Sequence, residues 1–294
     1  MDDNLQLIGD FLRRKRESLS PEMMGLPKPA RSRTPGLRRE DVASMAGISS
    51  VWYSKIERGK AEGISPMVLS ALADALQLNS SEQNYLHTLA SRKQTEIKMP
   101  CSHTSAETQR LLTLMNPLPV MLINDYFDIV SANESFSEMC GLDINALPQD
   151  ERNYVWLTMT NLQWQQFLCI TSDDDLVTHV TRQAGFMRNT MASRPNDHRL
   201  QSLVSRFVTQ PVFAAAWGKN TVQQCPDSML YSFHHARLGE MVFKKQIWTN
   251  AFGEATGRMN VYHPQNEADF ERLAGVMGGK SHLSGTSFLP GGGI

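Results

Sequence analysis

The side chains of this sequence that could do chemistry fall into four groups. The first stands between Arg38 and Lys60, a short stretch punctuated by Gly47 and Gly59 and carrying Arg38, Arg39, Ser49, Ser50, Val51, Ser54, Lys55, Arg58 and Lys60. Cations, hydroxyls and an outward apolar residue on one short helix are the groups that meet base edges and phosphates in a major groove. Arg31 and Arg33, in the proline-containing loop just before, add charge suited to phosphates. The second group is Arg152 with the large side chains Trp156, Phe167, Met187, Phe207 and Trp217. Such a stock can wall a pocket for a small apolar molecule, with Arg152 gripping a carboxylate through two parallel hydrogen bonds. The same residues also serve an ordinary core; Arg152 could instead bond backbone carbonyls, and Asn153 could cap the helix that follows.

The other two groups are weaker. His234, His235 and His263 suggest a metal, but adjacent strand residues point to opposite faces, so His234 and His235 cannot easily share one ion. Asp173-Asp174-Asp175 lacks the alternating spacing of a calcium loop and reads as the acidic first turn of a helix capped by Ser172. No nucleophile elbow, phosphate loop or dinucleotide fingerprint is present. The expectation is a chain that is not an enzyme and holds neither metal nor resident cofactor, apart from a bound fatty acid or similar apolar ligand.

At 294 residues with 41% hydrophobic content, the chain suffices for two domains. Net charge is −1, yet it is segregated: residues 11–60 carry 12 basic against 5 acidic side chains, whereas residues 99–294 carry 14 against 18. That is the footprint of a module meeting a polyanion, joined to a larger domain that does not. Four widely spaced cysteines, no CxxC pair, an acidic N-terminus and no long apolar run point to a cytoplasmic, nucleoid-associated protein with no membrane span.

Periodicity and punctuation place five helices in residues 1–91. Ser49 and Ser65 are expected N-caps, Pro66 opens a helix, and Gly47 makes the sharp turn between two short helices. Residues 92–107 read as a linker. A second domain over 108–265 opens with Leu111, Leu112 and Leu114 on a helix face, then a β-hairpin turning at Asn124-Asp125 and a helix capped by Asn133. Residues 150–219 read as helical, and three strands follow between 228 and 263. Residues 266–294 read as a C-terminal segment that becomes a mobile tail towards its end, over the glycine-rich stretch 275–294.

Ala46-Gly47-Ile48-Ser49 and Ile56-Glu57-Arg58-Gly59-Lys60 resemble the XRE (Cro/repressor-like) helix-turn-helix family. The resemblance implies a five-helix bundle in which Ser50, Val51 and Lys55 face double-stranded DNA, Lys60 contacts its backbone, and Glu57 pairs with Arg13 or Arg16. More narrowly, Arg33-Thr-Pro-Gly-Leu-Arg-Arg, Asn116-Pro-Leu-Pro-Val, Ile129-Val-Ser-Ala-Asn, Glu151-Arg-Asn-Tyr-Val-Trp and Arg194-Pro-Asn-Asp-His-Arg-Leu resemble the MmyB-like subgroup over residues 5–265. It implies a multidomain fold, an all-α five-helix bundle followed by an α/β (α+β) PAS-like domain. It also implies a transcription regulator, a small hydrophobic ligand of the fatty-acid type in the second domain, and a homodimer on operator DNA. The alternative is a constitutive dimeric DNA-binding scaffold whose second domain only dimerises or docks a protein partner.

Overall fold

A computed structural model describes residues 3–26, 36–61, 63–90, 103–194, 196–222, 230–249 and 257–278. The N-terminal part is helical: α1 (Asp3–Ser18), α2 (Arg39–Met45), α3 (Ser50–Glu57), α4 (Pro66–Ala75) and α5 (Ser80–Ala90). Its caps follow from local chemistry. Ser49 Oγ accepts from Trp52 N at 3.1 Å, Ser65 Oγ accepts from Val68 N at 3.3 Å, and Pro66 opens α4. Gly47 turns the chain between α2 and α3 at φ 63°, where a side chain would be strained. Ile8, Leu12, Val42, Tyr53, Ile56, Leu72 and Leu86 form the buried centre of the bundle. Gly9 lets α1 approach closely: a Cβ there would lie 2.5 Å from the Glu57 carbonyl oxygen.

The second part is built on one antiparallel sheet. Its strands are β1 (Val120–Ile123), β2 (Ile129–Ala132), β3 (Leu230–His235), β4 (Gly239–Thr249) and β5 (Arg258–Pro264), in the order β2-β1-β5-β4-β3. The helices are α6 (Ala106–Leu114), α7 (Glu134–Cys140), α8 (Tyr154–Thr160), α9 (Leu162–Phe167), α10 (Asp173–Ser193), α11 (His198–Phe207), α12 (Pro211–Gly218) and α13 (Glu267–Gly278). Strand alternation sorts the sheet into two faces. Met121, Ile123, Phe233, Met241, Phe243 and Tyr262 join the main core with Phe136, Trp164 and Phe167, while Val120 and Val261 meet Leu112 of α6 on the opposite face. Among the described residues no helix is long and apolar enough to cross a membrane.

Three expectations need correction. Of the leucines on α6, Leu112 alone is buried; Leu111 and Leu114 are exposed, because only one line of this short helix reaches the sheet. The linker ends sooner than residue 107, since Ser105 caps α6 from Thr108 N. Beyond residue 265, α13 occupies Glu267–Gly278 and buries Leu273 and Met277, so packed structure continues past the expected end of the second domain.

Candidate functional site

Two features of the molecule have the geometry of a site. The first is the solvent side of α3. Ser50, Lys55 and Val51 are exposed, Val51 by 66%, so its methyl groups stand in solvent. Ser54 is half-buried beside them. Tyr53 turns fully inward and Trp52 is half-buried, which leaves the outer face of α3 to small and cationic residues. The Ser49 hydroxyl is committed to its cap, though the residue is exposed.

The arginines around α3 do different things. Arg38 is exposed, and its N–H is received by Asp41 at 2.9 Å, so its side chain remains at the surface at the start of α2. Lys60 is exposed too. Arg58 folds back along its own helix, with Nε donating to the Ser54 carbonyl at 3.0 Å. Arg39 donates from Nε to Glu57 Oε2 at 2.6 Å, so it is first a structural partner, although 44% of its side chain stays exposed. Arg31 and Arg33 lie outside the described residues. Of the two partners expected for Glu57, the structure selects Arg16: Nε donates to Oε1 at 2.6 Å, and Arg16 also holds the Leu37 carbonyl at 2.8 Å. Burial opposes ionisation of Glu57, but the hydrogen bonds from Arg16 and Arg39 outweigh it and hold the carboxyl below the ordinary range.

The second feature is a cavity of about 120 Å³ between the sheet and α10. Strand alternation brings Met121 and Ile123 of β1, Lys245 and Ile247 of β4, and Arg258, Asn260 and Tyr262 of β5 onto its floor. Arg182, Gln183, Phe186, Asn189 and Thr190 of α10 form the opposite wall at helical spacing, and Phe127, Tyr154 and Tyr231 close the sides. Three cations thus share the lining with apolar and aromatic groups, and among the described residues no carboxylate lines it. Lys245 is buried, with Nζ 4.7 Å from the Tyr231 ring centroid.

None of the six residues expected to meet a ligand lines this cavity. Phe167 stacks on Phe233 at 4.5 Å, Met187 and Phe207 are wholly buried, and Trp156 and Trp217 pack on Phe207 and Phe213. Large aromatics fill the spaces between α8, α9, α11 and α12, where volume is needed. Arg152 points elsewhere, lining a surface cleft with Gln109, Ser131 and Asn145. The reason is local: Asn153 is pinned inward, donating to the Tyr126 carbonyl at 2.8 Å and capping α8, so its neighbour faces the other way. Arg182, Gln183, Lys245, Arg258 and Asn260 went unmarked. The alternation Arg258, Asn260, Tyr262 against Met259, Val261 was the available signal, since it sets polar side chains on the face that carries the core.

α10 also touches the helical domain. On the side away from the cavity, Arg188 is buried, donates to the carbonyls of Trp217 at 2.6 Å and Thr221 at 2.8 Å, and lies over the Trp217 ring. Tyr85 of α5 is close enough to interact with its charge, and Ala192 packs into the helical core. Elsewhere, His235 is buried and receives the Arg237 and Leu238 N–H groups at 3.1 Å, while His234 is exposed, as strand alternation requires. Ser172 caps α10 and the Asp173–Asp175 run forms its first turn. Burial pushes the Cys140 thiol up to about 12, which makes it inert; Cys101 and Cys225 lie outside the described residues.

Comparison with known families separates the same two parts. A family model described as the MmyB-like transcription regulator ligand binding domain matches residues 104–274. A helix-turn-helix domain model matches residues 7–86. No curated protein matches the chain.

Proposed function

The chain belongs to the MmyB-like transcription regulators, with a DNA-binding helix-turn-helix joined to a ligand-binding domain, and from that premise we propose how each part works. α3 enters the major groove, with Ser50, Val51 and Lys55 at base edges and Arg38 and Lys60 on phosphates. The second domain is a PAS-like sensor for a small apolar molecule with an acidic end, of the fatty-acid kind. The observation that carries this reading is the cavity under α10, where Arg182, Lys245 and Arg258 stand among aromatic walls. At about 120 Å³ it holds a group of roughly benzene size, so a longer acyl chain would have to displace lining side chains.

The protein acts as a homodimer in the cytoplasm, and no catalytic step belongs to this reading. Ligand shifts the population of two arrangements of the paired α3 helices, one of which matches half-sites a helical turn apart. Because α10 has the cavity on one side and α5 on the other, it is the element both sites bias.

Native mass spectrometry of the purified protein, followed by extraction, tests the sensor half. A stoichiometric acidic, apolar molecule is expected, and its addition should change operator affinity. A dimer of bare mass whose operator affinity is indifferent to short carboxylates would favour the constitutive scaffold.

A further inference from the structure

The polar atoms of the cavity define the ligand more narrowly than its volume does. Gln183 lines the cavity and is 3% exposed. Its Nε2 donates to Thr158 Oγ1 at 2.9 Å, and Thr158 Oγ1 donates its single proton to the Tyr154 carbonyl at 2.9 Å. Thr158 can therefore only accept from Gln183, which fixes the orientation of the amide. The other end, Oε1, is buried without a hydrogen-bond partner. Across the cavity, Arg258 has its Nε buried and equally without a partner. One lining group thus lacks a donor and another lacks an acceptor.

We propose that the ligand is a carboxylate bearing an adjacent O–H or N–H donor, such as a hydroxylated or N-acylated acid, read by Arg258 and Gln183 together. The inference rests on the sensor reading above. A simple carboxylate answers Arg258 but sets oxygen against the Gln183 oxygen. A protonated acid could supply the missing donor, yet Arg182, Lys245 and Arg258 all favour the ionised form. A separate donor beside the carboxylate satisfies both groups at once, and sites built to bond such a donor discriminate against analogues lacking it.

The test uses the full-length protein and three probes of similar length: hexanoate, 3-hydroxyhexanoate and N-butanoylglycine, titrated by calorimetry. At least one donor-bearing probe should bind about tenfold more tightly than hexanoate. In Gln183→Leu, which leaves the Thr158–Tyr154 bond intact, that preference should vanish while hexanoate binding persists. In Arg258→Met all three should weaken about tenfold with the preference retained. Circular dichroism confirms that each variant is folded; should Gln183→Leu fail to fold, the wild-type preference and Arg258→Met decide. Equal binding of the three probes by the wild type, or a preference that survives Gln183→Leu, would overturn the proposal. Failure of all three to bind the wild type would instead overturn the sensor reading beneath it.

Discussion

Two buried polar clusters, one in each domain, differ in how far they are satisfied. In the helical domain, Glu57 is 1% exposed and Arg16 2%, and both carboxylate oxygens are taken by Arg16 and Arg39. That cluster closes on itself and ties α1, α2 and α3 into one shape. In the sheet domain, Gln183 and Arg258 each leave a buried atom unpartnered at the cavity wall. Unpaired polar groups cost stability unless something satisfies them. The first arrangement holds α3 in one orientation, as the proposed reading of a rigid duplex needs; the second, on the same proposal, leaves room for a guest to complete it.

The largest expected effect tests that contrast directly. Glu57→Leu keeps volume but strands Arg16 without its buried partner, and should cost about 3–5 kcal/mol in urea unfolding. Arg258→Met removes a charge from a wall where its Nε has no partner, and should leave stability within about 1 kcal/mol of wild type. Equal losses in the two variants would erase the distinction between a closed and an open cluster.

Next in size is the joint between the domains. Arg188→Ala frees the carbonyls of Trp217 and Thr221 and removes the packing over the indole, at a cost of about 1–3 kcal/mol. It should leave carboxylate binding at the cavity intact and abolish the response of operator affinity to that ligand. A response of undiminished size would move the coupling away from this side of α10. For the reading helix, Lys55→Ala should weaken specific DNA binding by about 1–3 kcal/mol and blur one base position, while Lys60→Ala should weaken all sequences alike and reduce the salt slope by about one. A binding-site selection with the Lys55 variant that returns the wild-type motif would remove Lys55 from base readout.

What could be read in advance follows the range of the interaction responsible. Caps and turns are local, so Ser49, Ser65, Asn133, Asn153 and Ser172 do what their neighbours in sequence imply. The two faces of α3 are legible for the same reason, since inward Tyr53 and Ile56 and outward Val51 and Lys55 share eight residues. The cavity depends on β1, β4, β5 and α10 meeting across more than a hundred residues, and its distinguishing groups are polar. Large aromatics drew attention first, but Phe167 and Phe207 are buried core for the same reason that made them conspicuous. Arg39 shows what a surface cation can hide: placed at the start of α2, it is also within reach of the buried Glu57 carboxylate.

Acid should separate the domains further, with the smallest effect and a definite order. Burial first, and then the Arg182 cation, bring the His179 imidazole on α10 down to about 4 against the opposing pull of Asp175. The folded state therefore prefers the neutral ring, while the unfolded chain takes up a proton near its ordinary value of about 6.5. Stability owed to His179 is complete above that value and is lost as pH falls towards 4. Glu57 behaves otherwise, because its folded form prefers the carboxylate: its contribution is complete above the ordinary carboxylate value of about 4.3 and declines only as pH falls through its lowered one. Between pH 7 and 5, His179→Phe should thus lose less of its urea midpoint than wild type, whereas the deficit of Glu57→Leu should stay constant and shrink only below pH 4. Parallel losses for wild type and His179→Phe would show that the ring stays in water, and that the part of α10 beside the cavity is less buried than the sheet beneath it.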